Sequence, residues 1–272
     1  MANYRKKLGS TLDIEAPCPS CGPAPESCGS GITPPTGAVG IYNLDFSTGN
    51  TPSDVGAILV YFNPRSVPDG IRVLYDGTYY NAVSAPVGGR IQSTSGVSDA
   101  FTLLGITNAC VPSPLPNTTT YNFFNGFTGG SWDPGTPSTQ SVTINAGDDQ
   151  YGGNSMFSTL VIPKTNPTPS VISVQVLGPC SDTLWDLSVT CPTALPSFLA
   201  SVIQGGTICN TTTETYYFAQ HNGGVNTIPI VTNWVFSDAN GQTVLPDGNY
   251  NIINNNIITV VSGVVTLIQA CT

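Results

Sequence analysis

Residues 57–80 read AILVYFNPRSVPDGIRVLYDGTYY, and this stretch decides the fold of the chain. It contains two runs in which apolar residues alternate along a strand, 58–62 and 71–75, with proline, aspartate and glycine between them. The pattern predicts a strand, a turn and a second strand paired as a hairpin. Because the first run is apolar on both of its faces, we expect it to lie between two layers, with the hairpin lining the core of a β-sandwich.

The composition of the whole chain favours an all-β fold. Its 272 residues include 29 Gly and 23 Pro. No stretch has the i, i+3, i+4, i+7 apolar spacing of an amphipathic helix. Only 8% of the residues are charged, so neutral polar side chains must cover the surface. Such a composition is typical of proteins that work outside cells or inside assemblies.

The formal net charge of −9 is unevenly distributed along the chain. Arg5, Lys6 and Lys7 lie close to its start, which leaves the remainder more acidic still. An acidic body repels nucleic acid, and three adjacent basic residues contribute little salt-resistant affinity. We therefore predict no nucleic-acid partner. We interpret Tyr4 and the three basic residues as a candidate segment for docking to another subunit.

The cysteine content and the first residues together indicate where the protein works. Its 8 cysteines are an even number, which is typical of proteins in an oxidising environment. No apolar stretch of the kind found in signal peptides follows the basic residues, and no run approaches the roughly 18 apolar residues of a membrane span. We therefore expect a virion protein that is made in a host cytoplasm and released by lysis.

Residues 1–40 are rich in Pro, Gly, Ser and Cys, and they predict an extended N-terminal arm because they cannot form a core. Cys18, Cys21 and Cys28 have the spacing C-x2-C-x6-C. One interpretation is a zinc site, but a structural zinc needs four ligands and no fourth lies nearby. We favour free thiols or disulfides that staple the arm, within one subunit or between subunits. We predict no metal and no cofactor.

The predicted partners of the 57–80 strands lie far downstream, at VISVQVLG (171–178) and LWDLSVTC (184–191). Whether Cys180 and Cys191 face each other depends on a register that the sequence leaves open.

The two regions together resemble a β-sandwich module of tailed-phage virion proteins, found especially in tail and neck appendages. The pattern is a VPD turn, a strand that ends in Tyr-Asp-Gly, and a closing segment with Thr, an aromatic residue and a final Cys. The matching residues are Val67, Pro68, Asp69, Tyr75, Asp76, Gly77, Thr183, Trp185 and Cys191. The resemblance implies a structural protein, and it provides no catalytic residues to carry over.

A long insertion, at about 81–160, separates the two halves of this predicted sandwich domain, 41–192. Five aromatic residues lie within it, among Asn and Gly: Tyr121, Phe123, Phe124, Phe127 and Trp132. We favour packing or a subunit contact for them, because interfaces are enriched in aromatic side chains. The alternative is a carbohydrate-binding surface, since flat rings flanked by amides suit stacking against sugar rings.

Residues 193–272 predict a linker and a second, small β domain. We interpret TALPSFLASVIQ (193–204) as the linker, with one helical turn, and the remainder as short strands separated by frequent turns. The remainder resembles a small module at the ends of phage and Bacteroidetes surface proteins. The matching residues are Tyr216, Tyr217, Asp238, Gly241, Leu245, Gly248, Tyr250, Gly263, Val264, Val265 and Cys271.

Cys209 and Cys271 flank this second domain and form a candidate disulfide. A bond between them would close a loop of about 60 residues and contribute roughly 4 kcal/mol in the chain-entropy model.

The sequence predicts no catalytic site. His221 is the only histidine, and it lies in a glycine-rich turn with no Gly-x-Ser-x-Gly motif before it. We therefore predict a non-enzymatic structural component of a phage virion, such as a tail, fibre or baseplate appendage docked through its arm. Its partners would be other virion proteins in a homo-oligomer or symmetric assembly. The alternatives are a capsid decoration protein and, from another class, a carbohydrate-binding adhesin that contacts a host-surface glycan.

Overall fold

The computed structural model describes residues 25–32, 40–63, 70–83, 117–124, 127–128, 131–132, 138–144, 158–178, 184–203, 214–220, 226–253 and 255–271. Within these ranges the chain forms β-strands and turns and no helix, which confirms the all-β class.

The strands of the first part of the chain are β1 Glu26–Ser27, β2 Gly31–Ile32, β3 Gly40–Ser47, β4 Gly56–Asn63, β5 Gly70–Tyr75, β6 Thr78–Val83, β7 Asn117–Phe124, β8 Phe127–Thr128, β9 Ser131–Trp132, β10 Ser138–Ile144, β11 Ser158–Lys164, β12 Val171–Gly178 and β13 Asp186–Val189. Those of the last part are β14 Ser197–Val202, β15 Glu214–Ala219, β16 Trp234–Phe236, β17 Gly248–Ile252, β18 Asn256–Val261 and β19 Val264–Ala270.

The first part of the chain forms two sheets that share one hydrophobic core. The first sheet has the order β10-β7-β3-β12-β5-β6, with β1 also beside β3, and the second has the order β11-β4-β13-β2. Both sheets contribute apolar side chains to the core. Trp185 is fully buried there, with its ring edge-on to that of Tyr42 at a centroid distance of 5.5 Å.

The two predicted strands of the 57–80 stretch are present, but the predicted hairpin is wrong. β4 belongs to the second sheet and β5 to the first, so the two strands are not paired with each other. Their predicted downstream partners are correct, because β4 pairs with β13 and β5 pairs with β12. Alternation determined which face each side chain occupies, but it contained no information on which sheet each strand joins.

The hairpin that does form in this region joins β5 to β6. Its turn consists of Asp76 and Gly77, with φ angles of 47° and 74°. Positive φ at both positions is the requirement of a two-residue type I′ turn, for which Asp-Gly is a preferred pair. The sequence DG between two alternating runs was therefore the signal for this hairpin.

Strands from the insertion extend both sheets. β7 runs parallel to β3, with Gly40 opposite Asn122, and β10 pairs with β7 at the sheet edge. β1 is also parallel to β3, so the first sheet is mixed and not antiparallel throughout as predicted. At the end of the insertion, β11 pairs along its whole length with β4.

The last part of the chain closes into a six-stranded antiparallel barrel in the order β14-β15-β16-β19-β18-β17. Its first strand lies where we predicted a linker with a helical turn, and that prediction is wrong. Phe198 and Ala200 point into the barrel core while Ser197 and Leu199 are exposed, which is the period of a strand. The short run and the proline immediately before it, Pro196, obscured this alternation.

Strand β4 confirms the expectation of a strand between two layers. Ile58, Val60 and Phe62 are fully buried in the core shared by the two sheets. On the opposite face, Leu59 and Tyr61 belong to a second apolar cluster, which is formed with the barrel. The cluster contains Ala57, Leu59, Val161, Leu195, Ala219, Trp234 and Phe236, with Tyr61, Tyr217 and Val264 packed against it.

A tight turn of the barrel reaches this second cluster. The carboxylate of Asp238 accepts hydrogen bonds from the amides of Asn240, Gln242 and Thr243, at 3.0, 3.0 and 2.6 Å. The turn contains Gly241, whose φ is 72°. A Cβ added to Gly241 would lie 2.6 Å from Cγ1 of Val161, so the backbone itself packs against the second sheet.

We expect Gly241→Ala to lower the free energy of unfolding more than Gly77→Ala does. Both glycines have nearly the same positive φ, 72° and 74°, which costs an alanine about 1–2 kcal/mol at either site. A Cβ at Gly77 meets nothing within 4 Å, whereas at Gly241 it overlaps Val161. That overlap should add about 1–3 kcal/mol in denaturant unfolding. Equal losses for the two variants would show that the barrel does not pack against β11 in this way.

Candidate functional site

The N-terminal arm is clamped to the body at residues 25–32. β1 pairs with β3 at the edge of the first sheet, and β2 pairs with β13 at the edge of the second. Between them Cys28 forms a disulfide with Cys191, with a Cα–Cα distance of 4.8 Å. The amide of Cys28 donates to the carbonyl of Ser47 at 3.2 Å, and the amide of Gly29 donates to that of Val189 at 2.6 Å. Residues 25–32 therefore bridge the two sheets.

This clamp decides between the alternatives for two cysteines. The staple interpretation is confirmed for Cys28, and the staple lies within one chain. Cys28 is thereby removed from the candidate zinc ligands, and a bond between Cys180 and Cys191 is excluded in this structure. Cys18, Cys21 and Cys180 themselves lie outside the described residues. In the described ranges, no three His, Cys, Asp or Glu side chains are grouped so as to hold a metal ion.

The other predicted site residues fall partly or wholly outside the described residues. Tyr4, Arg5, Lys6 and Lys7 lie outside them, as does Cys209. Cys271 is disulfide-bonded, but its pairing with Cys209 stays a prediction.

The backbone of the aromatic stretch is described. Tyr121, Phe123 and Phe124 lie in β7, which extends the first sheet beside β3. Phe127 lies in β8 and Trp132 in β9, and these two residues are opposite each other in a two-stranded sheet. Their proposed roles in packing, subunit contact or sugar binding stay predictions.

The outward side of the first sheet carries a group of polar side chains that the sequence analysis did not recognise as a site. Gln175 on β12 is the register partner of both Asn43 on β3 and Arg72 on β5. In the next outward-facing row, Ser173 is the register partner of both Asp45 and Leu74. We call these six outward-facing residues, Asn43, Asp45, Arg72, Leu74, Ser173 and Gln175, the polar sheet face.

The polar sheet face forms an open cavity of about 260 Å³. Leu44 and Val174 also line it, although their side chains are buried on the core side. Gln175 donates a hydrogen bond from Nε2 to Oδ1 of Asn43 at 2.8 Å, which fixes both amide groups on the floor. The described lining contains one carboxylate, Asp45, and one guanidinium, Arg72, so its formal charges cancel.

A buried lysine lies at the end of β11. Lys164 is 0% exposed, and its Nζ donates to the carbonyls of Pro167 and Pro169 at 2.7 and 2.6 Å and to the Tyr75 hydroxyl at 3.3 Å. Burial lowers the pKa of Lys164, while the charges of Asp54 and Asp76 oppose that change. Three acceptors match the three donors of an ammonium group, so the lysine ties the following loop to β5.

The phenol of Tyr75 shares this site. Its hydroxyl donates to the carbonyl of Pro169 at 3.2 Å. Burial raises the pKa of Tyr75 to about 12, with smaller contributions from Asp76 and Tyr80. Lys164 and Tyr75 therefore hold the loop between β11 and β12 against β5, and we assign these two residues a structural role.

In comparisons with known proteins, no protein-family model, no curated protein and no solved structure matches the chain. Within the described residues, no helix has the length and apolar character that crossing a membrane requires.

We expect the double variant Cys28→Ser with Cys191→Ser to release the clamp. The closed loop spans a sequence separation of 163, and loss of such a crosslink should cost about 2–5 kcal/mol of unfolding free energy. Hydrogen exchange provides the local measurement. The backbone amides at positions 28 and 29 should lose protection against exchange. The amides of β18 and β19 should keep their protection. Unchanged protection at Gly29 would show that the strand pairings hold the arm without the disulfide.

Alkaline pH should reveal the buried phenol of Tyr75. Its folded-state pKa of about 12 lies above the usual 10.0, so the unfolded chain releases this proton first. The stabilising contribution is complete below pH 10 and is lost as pH rises towards 12. Between pH 10 and 12, the free energy of unfolding of Tyr75→Phe should therefore fall by on the order of 2 kcal/mol less than that of the native chain. Urea unfolding at several pH values gives the slope of unfolding free energy against pH for each of the two proteins. Equal slopes would contradict the assignment.

Proposed function

We propose that this chain is a non-enzymatic structural protein of a tailed-phage particle, of the tail, fibre or baseplate type, which joins the particle through its N-terminal arm. The observation that carries this proposal is the clamp of residues 25–32, with the Cys28–Cys191 bond between its two short strands. The clamp attaches residues 25–32 to both sheets. A partner that binds Tyr4 to Lys7 would be linked to this clamp through the intervening chain.

The disulfide also supports the proposed setting. Disulfides persist in oxidising environments and are rare in a reducing cytoplasm. A protein that is assembled into a particle in the cytoplasm and exposed to air after lysis agrees with this bond, because its thiols are able to oxidise after assembly.

Several of the described positions shared with phage modules have structural roles in this fold, which supports a scaffold function. Asp76 and Gly77 form the β5–β6 turn, and Trp185 is buried in the sandwich core. Asp238 and Gly241 form the turn that packs the barrel against the second sheet.

The surface of the barrel supports contact with further protein. Among the described residues, the large apolar side chains that are exposed lie almost entirely in the barrel, and apolar groups of this kind mark protein contacts when they form a patch. They are Leu199, Val202, Ile230, Val231, Val244, Ile253, Val261 and Leu267, with Leu184 as the exception outside the barrel. We expect neighbouring subunits to contact the barrel through some of these side chains.

The test is to follow the protein into purified particles of the phage that encodes it. Mass spectrometry of gradient-purified particles should detect the full chain. A variant that lacks residues 2–24 keeps all the contacts described above, so it should fold normally but be lost from the particles by at least tenfold. A variant with Tyr4, Arg5, Lys6 and Lys7 changed to Ala should show the same loss if these side chains make the contact.

The matched control is Ser27→Ala, a substitution in the clamped segment that removes only an exposed hydroxyl. It should enter particles at the native level. Absence of the native chain from particles would contradict the proposal as a whole, and normal incorporation of the 2–24 deletion would contradict docking through the arm. Electron microscopy of labelled particles then separates an appendage from a capsid decoration protein.

A further inference from the structure

The polar sheet face lies at the centre of the most regular part of the molecule. β12 is hydrogen-bonded to β3 on one side and to β5 on the other, over eight and five register pairs. β5 is also paired with β6, and the other side of β3 is paired with β7 at residues 40–42 and with β1 at residues 46–47. Side chains on such strands keep fixed positions, so the cavity is preorganised for a ligand.

The construction of this cavity excludes several classes of ligand. A peptide cannot add to it as an extra strand, because strand addition needs a free sheet edge and this is the face of central strands. An anion such as phosphate would meet the carboxylate of Asp45, and a cation would meet the guanidinium of Arg72. Leu74 provides one outward apolar side chain among the described lining, which is too little for an apolar ligand.

We propose that the polar sheet face binds a neutral sugar unit of a glycan. Vicinal hydroxyl groups both donate and accept hydrogen bonds, and the lining offers both functions: the amides of Asn43 and Gln175, the carboxylate of Asp45 and the guanidinium of Arg72. Leu74 lies beside them and provides an apolar contact for the C–H groups of a sugar ring. The cavity of about 260 Å³ is slightly below the ~300 Å³ of small-molecule clefts, which suits one ring.

This sugar site is distinct from the aromatic stretch at 121–132, and it is independent of particle assembly. Virion incorporation is measured without any sugar, so a failure of either proposal leaves the other intact.

The test uses the full chain and a panel of neutral sugars: glucose, galactose, mannose, rhamnose and N-acetylglucosamine. Saturation-transfer NMR should detect at least one of them, with a dissociation constant of about 1 mM, as expected for a ligand of this size. Glucose 6-phosphate and N-acetylneuraminic acid serve as charged comparators, and each should bind more weakly than the neutral sugar.

Three variants assign the binding to the cavity. Ser173→Phe places a ring in the cavity on a central strand, where aromatic residues are well tolerated, and it should weaken binding by more than tenfold. Arg72→Ala should weaken it by about tenfold. Ser47→Ala is the matched control, because Ser47 is exposed on the same side of β3 but does not line the cavity. It should change the dissociation constant by less than about twofold.

Three outcomes would overturn the proposal. The first is that no neutral sugar of the panel binds at about 50 mM, well above the expected dissociation constant. The second is that charged sugars bind and neutral ones do not. The third is that Ser173→Phe binds normally while Trp132→Ala does not, which would place the sugar on the aromatic stretch. A melting temperature equal to that of the native chain, measured for each variant, shows that a loss of binding comes from the change in the cavity and not from unfolding.

Discussion

Burial of both faces of strand β4 is the constraint on which the rest of this structure depends. One face fills the core between the two sheets with Ile58, Val60 and Phe62, and the other face contacts the barrel through Leu59 and Tyr61. Each fully buried side chain of this size contributes about 1.5–3 kcal/mol. At the start of the strand, Ala57 exchanges backbone hydrogen bonds of 2.8 and 3.2 Å with Thr193, in the segment that leads to the barrel. One strand therefore joins both parts of the molecule.

The position of the barrel explains why the two outer sheet surfaces differ. On the second sheet, Leu59 and Val161 point outward and are apolar, because the barrel covers them. On the first sheet, the central outward positions of β3, β5 and β12 are mostly polar, and they carry Asn, Asp, Arg, Ser and Gln together with Leu74. The apolar contact with the barrel and the polar cavity thus lie on opposite sides of one core.

Much of this arrangement could be predicted from alternation in the sequence. The two faces of β4 and the distant partners of β4 and β5 were correct, because period-two burial is a local property of a strand. The assignment of β4 and β5 to one hairpin was wrong, because alternation is the same whether two strands are neighbours or lie across a core. β14 was missed because its run is short and closely follows Pro192 and Pro196.

The polar sheet face could not be predicted in the same way. Gln175 and Arg72 were each visible as polar residues in alternating runs, and so was Asn43. Their meeting depends on the register of three strands, and Gln175 on β12 is 132 residues from Asn43 on β3. Register over such distances follows from packing of the whole core, which no local pattern contains. The partner of Cys28 in the arm could not be predicted for the same reason, since Cys28 and Cys191 are 163 residues apart.

The Cys28–Cys191 bond also determines how the protein would carry mechanical tension. A pull on the chain before Cys28, resisted by the chain after Cys191, passes directly through the sulfur atoms. The polypeptide between the two cysteines, which includes both sheets of the sandwich, lies in a closed covalent loop and carries none of that load. The segment after Cys191 and the barrel are then the elements under strain, and the sandwich with its polar cavity keeps its shape while the molecule is stretched.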